Sequence, residues 1–403
     1  MKNTSFAILT GIAVILMSCT NNNPGSESAN TSDIVIMAYY VPGNNFPPDN
    51  LPVEKLSHII FSFTEVIENK MAFVNETSSA KLHKLVEQKE KNPDLKVMIA
   101  CGGWGGCAGF SDMAASSETR KIFVESTIEF INEYKLDGVD IDWEYPGLPG
   151  AGNPFRPDED EGNFTLLMKE LREAMDATGQ KLTLTFASAG WEHYYNFVDE
   201  KEVMKYADYI NVMTYDLVGG SSPYTGHHTN LGKVSLEDIE GTPMYEFMKE
   251  RAMEMEQKGI KYSARGADAI VPYCMELGID PKQIVIGAAF YGRAWRGVPP
   301  ENNGLYQANK GVHTGWAGYS NLRKEYENKN GYTRFWDPIA SAPYLYSQTD
   351  SVFISFDDTT SVKLKTRYSI ENNLGGIMFW QLGNDTREKN SLLDAIYEES
   401  IKD

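Results

Sequence analysis

The chain has 403 residues and a net charge of −19, with 56 acidic against 37 basic side chains. That charge argues against a nucleic-acid partner, because phosphate backbones are held by clustered lysine and arginine. The 42% hydrophobic content can fill the core of one large domain or two small ones.

The first 19 residues are typical of an export signal. Lys2 opens a short basic segment, and residues 6–17 form an apolar run that is shorter than the roughly 20 residues of a spanning helix. The run ends in Leu-Met-Ser-Cys at residues 16–19, which resembles the lipobox of bacterial lipoproteins, where the cysteine is lipidated and becomes the mature N-terminus. The alternative is an ordinary secretory signal with a chance cysteine at Cys19.

Residues 20–33 are rich in Asn, Ser and Thr and contain Gly and Pro, which predicts a flexible tether. With lipidation at Cys19, the sequence predicts an exported lipoprotein of the cell envelope, anchored to a membrane. Whether it faces the periplasm or the cell surface stays open.

Eight short β-rich runs follow, most of them separated by amphipathic helical stretches. Several are nearly continuous in apolar residues, as expected of parallel strands buried on both faces. Alternating strands and helices predict an α/β fold with a parallel sheet, and eight repeats predict a closed (β/α)8 TIM barrel over residues 34–403. The predicted strands are Ile34–Tyr40, His58–Phe63, Lys96–Cys101, Gly138–Glu144, Lys181–Ala187, Tyr209–Tyr215, Gln283–Phe290 and Gly375–Gln381.

Two intervals are too long for a plain strand–helix unit. The first, from Asp216 to about Ser263, contains the pair His227-His228, which we interpret as loop structure near a cleft because no third metal ligand is evident. The second covers about residues 295–360 and is rich in Tyr, Trp, Gly and Pro. It predicts a small α+β module inserted between strands seven and eight.

Three cysteines lie beyond the export signal: Cys101, Cys107 and Cys274. Their odd number argues against a disulfide framework. Cys101 and Cys107 are close enough in sequence to bridge, which stays open. No Cys/His spacing predicts a zinc site.

The segment Asp-Gly-Val-Asp-Ile-Asp-Trp-Glu-Tyr-Pro at residues 137–146 carries the strongest chemical signal. Side chains on a strand alternate between its faces, so Asp140, Asp142 and Glu144 share one face. In a barrel their apolar neighbours pack on the outer helices and the carboxylates point inward. Pro146 ends the strand, which leaves Glu144 at the C-terminal rim, where barrel active sites lie.

Three adjacent buried carboxylates raise each other's pKa, which keeps one of them protonated near neutral pH. A general acid needs that property. A divalent metal site and a structural charge network are the alternatives for the same three residues. An ordinary glycosidase needs carboxylates on both sides of the bond it cuts, whereas Asp142 and Glu144 approach from one side. If the substrate is a glycoside, another group must attack the anomeric carbon.

The same segment resembles the DxxDxDxE signature of family 18 glycoside hydrolases, and its Trp-Glu-Tyr-Pro ending resembles the chitinases of that family. The resemblance extends over roughly residues 34–385. In chain order, the other matching segments are residues 35–40 on the first strand, residues 100–104 (the SxGG motif), residues 213–216 (the MxYD motif), residues 290–293 and Trp380.

The resemblance implies substrate-assisted retaining hydrolysis, with no metal and no organic cofactor. It implies that Glu144 protonates the leaving glycosidic oxygen while the 2-acetamido carbonyl of the sugar attacks the anomeric carbon. Asp142 would hold the acetamido N–H, and Asp140 would share a proton with Asp142. Tyr215 would hydrogen-bond the acetamido carbonyl, and Asp216 would assist binding there.

The resemblance also assigns a set of substrate-binding residues. Trp380 would form the apolar floor beneath the reacting sugar, and Trp104 would line the leaving-group side. The other expected binding residues are Tyr39, Phe63, Tyr145, Met213, Tyr291 and Arg293. Asp137 has the opposite parity on the strand and is expected to be structural. The sequence departs from the family at Ala100, which replaces the SxGG serine expected to help satisfy the buried aspartate.

Three functions remain open on the sequence. We expect a monomeric chitinase that acts on chitin or chitooligosaccharides. The first alternative is an endo-β-N-acetylglucosaminidase acting on N-glycans. The second is a non-catalytic sugar-binding lectin, which the presence of Glu144 disfavours.

Overall fold

The structure is a computed structural model that describes residues 1, 34–43, 46–314 and 318–402. The predicted export signal after Met1, the lipidation site Cys19 and the tether up to residue 33 lie outside the described residues. Within the described part of the chain, no helix combines the length and the apolar character that crossing a membrane requires.

Strands alternate with helices along most of the described chain, as the hydrophobic pattern predicts. In chain order the strands are β1 (Val35–Tyr40), β2 (His58–Ile67), β3 (Lys70–Ala72), β4 (Lys96–Gly102), β5 (Gly138–Asp142), β6 (Thr183–Ala189), β7 (Tyr209–Met213), β8 (Ile284–Ala289), β9 (Arg293–Arg296), β10 (Thr333–Asp337), β11 (Ala342–Ser347), β12 (Val352–Ser355) and β13 (Gly376–Trp380). The α-helices are α1 (Ser78–Val86), α2 (Phe110–Ala114), α3 (Ser117–Tyr134), α4 (Asp160–Ala177), α5 (Glu200–Val203), α6 (Pro243–Gln257), α7 (Ala267–Glu276), α8 (Tyr319–Asn321), α9 (Thr359–Glu371) and α10 (Leu392–Ser400).

A closed parallel barrel forms the centre of the fold. Its strands run in the order β1, β2, β4, β5, β6, β7, β8 and β13, and β13 pairs back onto β1 to close the ring. The predicted TIM barrel is therefore confirmed. The helices cover the barrel from outside; on α4, for example, Phe164, Leu167, Leu171 and Met175 are all buried at helical spacing.

The segment between β8 and β13 forms a second sheet. Strands β9, β12, β11 and β10 pair antiparallel in that spatial order. The segment also contains the short helix α8, and the longer helix α9 leads from β12 back to the barrel strand β13. This sheet has a separate apolar core in which Trp295, Tyr344 and Phe353 pack together. The sheet begins at Arg293, shortly after β8 ends at Ala289, so the module follows the C-terminal end of that barrel strand.

Most strand limits agree with the sequence pattern to within two residues. The largest difference is β2, which runs to Ile67 because it folds back on β3 as an antiparallel hairpin. Strand β5 ends at Asp142 instead of Glu144, since its neighbour β4 turns away at Gly103, whose N–H donates to the Asp142 carbonyl oxygen.

Candidate active site

The three carboxylates of the β5 segment lie inside the barrel. Asp140 is fully buried, Asp142 is 5% exposed and Glu144, just beyond the strand, is 8% exposed. Trp143 points the other way and stacks on Phe110 of α2 with ring centroids 5.2 Å apart. The alternation predicted from the sequence thus continues past the end of the regular strand and delivers Glu144 to the C-terminal rim.

Asp140 is the best-satisfied member of the group. Its Oδ2 accepts a hydrogen bond of 2.9 Å from the Tyr39 hydroxyl. Its Oδ1 accepts one of 2.5 Å from the Thr185 hydroxyl and one of 3.2 Å from Asn211 Nδ2. Burial raises the pKa of Asp140 to about 6, although these three hydrogen bonds act to lower it. Three donors fit an ionised carboxylate, which can only accept.

Asp142 has a different environment from Asp140. Its Oδ1 is buried and has no hydrogen-bond partner among the described residues. Burial, reinforced by the neighbouring charges of Glu144 and Asp140, raises the pKa of Asp142 well above its usual range. Burial without a hydrogen-bond donor and two neighbouring negative charges therefore favour the neutral form of Asp142.

Glu144 sits where it can exchange a proton near neutral pH. Burial raises the pKa of Glu144 to about 7; the Tyr145 hydroxyl lowers it and the charge of Asp216 raises it. The Glu144 backbone N–H points to Cys107 Sγ at 3.2 Å, and that thiol donates to the Asp142 carbonyl oxygen at 3.1 Å. Cys107 therefore fixes the backbone that carries the acid.

The two glycines after β4 allow this packing. Gly102 and Gly103 have positive φ angles of 115° and 83°. A Cβ atom on Gly102 would collide with the Asp142 carbonyl, and one on Gly103 would lie 2.8 Å from the Phe63 ring. Phe63 in turn stacks on Trp380 with centroids 5.3 Å apart and ring planes inclined by 17°. Trp380 itself is only partly buried at the end of β13.

Tyr215 follows β7 and projects toward the barrel axis. Its hydroxyl is 3.7 Å from Met378 Sδ, and its ring occupies the space left by Gly287, where a Cβ would lie 2.7 Å from the ring. Met213 shares its parity and is buried at the end of β7. Tyr215 is thus held deep in the site, and among the residues that the structure describes its hydroxyl has only the weak Met378 sulfur as acceptor.

A second carboxylate centre forms at the rim around Asp216. Its Oδ1 accepts hydrogen bonds from the Tyr291 hydroxyl at 2.7 Å and from Arg293 Nε at 2.5 Å. The buried His228 Nδ1 lies 3.5 Å from the same oxygen. Burial alone would raise the pKa of Asp216, but His228 and Arg293 hold it well below its usual range. Asp216 therefore remains ionised.

Trp104 and Asp137, two further residues singled out in the sequence, have different surroundings. Trp104 is 58% exposed and its ring meets Tyr145 edge-on at 6.4 Å, which places an accessible aromatic beside the acid. Asp137 lies apart from the site: it accepts from Lys89 Nζ and from the Val97 backbone N–H, both at 2.8 Å, in the structural role expected of it.

The histidine pair divides between two roles. His228 belongs to the Asp216 centre described above. His227 Nε2 instead pairs with Asp337 of β10 at 3.0 Å, and Tyr306 donates to the same Asp337 oxygen at 2.8 Å. His227 thus ties the β7 loop to the inserted sheet.

Two details of the site were not predicted from the sequence. Thr185 and Asn211, both donors to Asp140, are polar residues at inward-facing positions of β6 and β7. That parity marks them as candidates but does not show which carboxylate they reach. Cys101, Cys107 and Cys274 are buried free thiols, so Cys101 and Cys107 are not bridged. No sequence pattern indicated that Cys107 holds the Glu144 backbone. Among the described residues, no group of three or more His, Cys, Asp or Glu side chains could hold a metal ion.

Comparison with known proteins shows similarity over most of the chain. The family model described as "Glycosyl hydrolases family 18" matches residues 35–385. Chitinase A1 of Niallia circulans is 37% identical over 75% of this chain, which spans 42% of that protein's length. Chitinase B of Serratia marcescens is 29% identical over 90% of this chain and 83% of its own. The structure of a family 18 N-acetylglucosaminidase from Paenibacillus barengoltzii superimposes with a TM-score of 0.77 and 36% identity, covering 91% of this chain and 99% of that one.

Proposed function

Since the chain belongs to glycosyl hydrolase family 18 and is a glycoside hydrolase, we propose that it cleaves β-1,4 bonds between N-acetylglucosamine units by a retaining, substrate-assisted mechanism. The observation that carries the proposal is the one-sided row of Asp140, Asp142 and Glu144, which Tyr39 links to the Trp380 ring. Acid and supporting carboxyl groups lie on one segment, so the attacking group comes from the substrate itself.

In the first step, Glu144 donates its proton to the leaving glycosidic oxygen. Its pKa of about 7 keeps a large fraction protonated at neutral pH. The 2-acetamido carbonyl oxygen attacks the anomeric carbon as the glycosidic bond breaks, and an oxazolinium ion forms. The Tyr215 hydroxyl, whose acceptor among the described residues is the weak Met378 sulfur, hydrogen-bonds that carbonyl and aligns it.

Asp142 stabilises the cation through the acetamido N–H. Its buried Oδ1 is available as the acceptor, and passing its proton toward Asp140 leaves a negative charge next to the oxazolinium ring. In the second step, Glu144 as the carboxylate takes a proton from water. The water oxygen attacks the anomeric carbon, reopens the oxazolinium ring and regenerates the acetamido group with retained configuration.

The aromatic residues supply binding by stacking on sugar faces. Trp380, with Phe63 stacked on it and Tyr39 nearby, supports the sugar at the reacting centre. Trp104 and Tyr145 line the leaving-group side. Asp216, held by Tyr291 and Arg293, binds polar groups of the same sugar unit, and Met213 completes the inner wall.

The test is hydrolysis of N-acetylglucosamine hexamer by the purified protein, with Glu144→Gln as the matched control. NMR reports product lengths and the anomer formed first. We expect short oligomers, mainly dimers, that carry the β-anomer initially and are absent with the control. An initial α-anomer contradicts the retaining mechanism, and intact hexamer contradicts the proposed substrate.

A second candidate activity is the release of single N-acetylglucosamine units. The similarity to the Paenibacillus N-acetylglucosaminidase, which extends over 99% of that chain, favours it. The hexamer experiment separates the two activities, because monomer as the first product indicates N-acetylglucosaminidase action and dimer indicates chitinase action. Action on N-glycans and pure lectin binding lack comparable support: the first two relatives compared are chitinases, and Glu144 is in place.

For location, we propose that the enzyme is a monomer anchored to the cell envelope through lipidated Cys19. The support is the lipobox-like ending of the apolar run at residues 16–19. Mass spectrometry of the N-terminus of the protein from its bacterial membrane fraction tests this. A lipid-modified cysteine that disappears in Cys19→Ser, with release of the protein into the soluble fraction, is the expected result.

A further inference from the structure

Asp140 lies between two strand neighbours that the barrel register brings beside it. Ala100 of β4 pairs with Asp140 on one side, and Thr185 of β6 pairs with it on the other. Residues in register on parallel strands point to the same face, so all three side chains project into the barrel. Ala100 offers only a methyl group to the carboxylate, whereas Thr185 donates a hydrogen bond of 2.5 Å to Asp140 Oδ1.

Ala100 is also the position at which the sequence departs from the SxGG pattern. A serine there would stand next to Asp140 on the β4 side and offer it a hydroxyl. In this chain the hydroxyl beside Asp140 comes from the opposite neighbour. From this geometry we infer that Thr185 is a positioning residue for the proposed reaction, supplying from β6 the hydroxyl that Ala100 does not supply from β4.

The surrounding contacts make the Thr185 bond specific. Thr185 is completely buried, and its chain neighbours Leu184 and Phe186 lie on the outward face of β6. The two other donors on Asp140, Tyr39 and Asn211, also contact each other, with Asn211 Nδ2 donating to the Tyr39 hydroxyl at 3.0 Å. Thr185 takes no part in the hydrogen bond between Asn211 and Tyr39. Removing its hydroxyl therefore leaves those two donors in place.

The consequence concerns which carboxyl group carries the shared proton. The Thr185 hydrogen bond lowers the pKa of Asp140 and so favours the ionised form of Asp140, with the proton on Asp142. Loss of this bond raises the pKa of Asp140 and makes a second proton on the pair easier to acquire. The acidic limb of activity then moves to higher pH, while substrate contacts at the rim stay unchanged. This inference rests on the proposed function only for its kinetic readout.

The experiment compares Thr185→Val, which keeps the branched shape without the hydroxyl, with Thr185→Ser, which keeps the hydroxyl. The double variant Ala100→Ser/Thr185→Val moves the hydroxyl to the β4 side. Thr183→Val, on the same strand but not among the donors to Asp140, is the control. For Thr185→Val on N-acetylglucosamine oligomers, we expect the acidic limb to rise by about one pH unit, as for a lost hydrogen bond to a charged group. On that limb, kcat should therefore fall by up to about tenfold.

KM is expected to stay within about twofold, because Thr185 lies below the sugar-binding rim. Thr185→Ser and Thr183→Val should resemble the unaltered protein, and the double variant should regain most of the loss. An unchanged pH profile in Thr185→Val, an equal loss in Thr185→Ser, or no recovery in the double variant would overturn the inference.

A readout without turnover separates this inference from the proposed function. Titration of the protein labelled with [¹³C]aspartate, with Asp140 assigned through Asp140→Asn, gives the pKa of Asp140 directly by NMR. A rise of about one unit in Thr185→Val supports the inference even if no oligomer is cleaved. An unaltered Asp140 titration overturns it even if the enzyme is an active chitinase.

Discussion

Two groups of carboxylates share the cleft, and their environments have opposite effects. Along the β5 segment, burial raises the pKa values of Asp140 to about 6 and of Glu144 to about 7. At the rim, Asp216 is held well below its usual pKa by His228 and Arg293. The acids inside the barrel have neutral donors or no donor, whereas Asp216 has a cationic partner.

Under the proposed function, this difference lets carboxylates of one site perform two different tasks. A proton donor must give up its proton near the working pH, and burial without a counter-charge provides that. A binding carboxylate must stay ionised, and a guanidinium at 2.5 Å provides that. The identity of the partner, more than the depth of the carboxylate, separates the acid from the binding group.

The largest effect is expected from removing the acid. Glu144→Gln retains the shape of the side chain but cannot donate a proton to the leaving group, so kcat should fall by about 10³-fold or more. Single-turnover assays on N-acetylglucosamine oligomers measure it. Glu200→Gln is the control: burial raises the pKa of Glu200 to about 9, so this acid is already neutral and its amide should leave kcat unchanged. Equal losses in both variants would show that the effect is structural.

The contributions of Glu144 and Asp216 to the free energy of unfolding should depend on pH with opposite signs. Glu144 has a raised folded-state pKa, so between about pH 4.5 and pH 7 the unfolded chain releases a proton that the folded chain keeps, and the free energy of unfolding falls as pH rises. Glu144→Gln removes that loss, and its stability relative to the unaltered protein should grow by ~3 kcal/mol from pH 4 to pH 8.

Asp216→Asn should show the reverse dependence. The folded-state pKa of Asp216 is depressed below 3.8, so its contribution is present above that pH and is lost as the pH falls through the folded value. The variant should be less stable than the unaltered protein at pH 7 and approach it in strong acid. Urea unfolding at several pH values checks both variants, and parallel pH curves for the two would contradict the comparison.

Much of this arrangement could be predicted from the sequence because it depends on period-two alternation. That rule places Asp140, Asp142 and Glu144 on one face and Trp143 on the other, and repetition of strands and helices predicts the barrel. The donors to Asp140 could not be assigned in the same way. Whether Thr185 or Asn211 reaches that carboxylate depends on the register between separate strands, which no local pattern reveals.

The Asp216 centre shows the same limit more strongly. Its partners come from three places: His228 in the loop after β7, Tyr291 after β8 and Arg293 at the start of the inserted sheet. Ion pairs between such distant segments depend on how the loops fold over the barrel. The sequence therefore predicts Asp216, Tyr291 and Arg293 as binding residues but not that His228 and Arg293 together hold Asp216 ionised.

A smaller effect is expected from weakening the rim partner. Arg293→Lys keeps the positive charge but loses the planar guanidinium that donates through Nε to Asp216. We expect kcat/KM for N-acetylglucosamine oligomers to fall about tenfold, mainly through KM, because substrate binding is affected and the acid is not. Arg296→Lys, at the exposed end of the same strand, is the control and should change neither constant. A fall in kcat alone would instead connect Arg293 to the chemical step.

The smallest effect is the influence of one group on the other. The negative charge of Asp216 contributes to the raised pKa of Glu144, so Asp216→Asn should move the alkaline limb of kcat/KM to lower pH by less than about one unit, whatever binding is lost. Asp394→Asn, on the outer helix α10 and paired with Lys55, should leave the limb in place. Salt distinguishes two paths for this interaction between charges. If solvent separates Asp216 from Glu144, a higher salt concentration should reduce the shift of the alkaline limb between Asp216→Asn and the unaltered protein. If the field passes through the buried interior, salt should leave that shift unchanged. A limb that moves to higher pH in Asp216→Asn would mean that the rim carboxylate stabilises the ionised acid, and the two groups would then act together instead of in opposition.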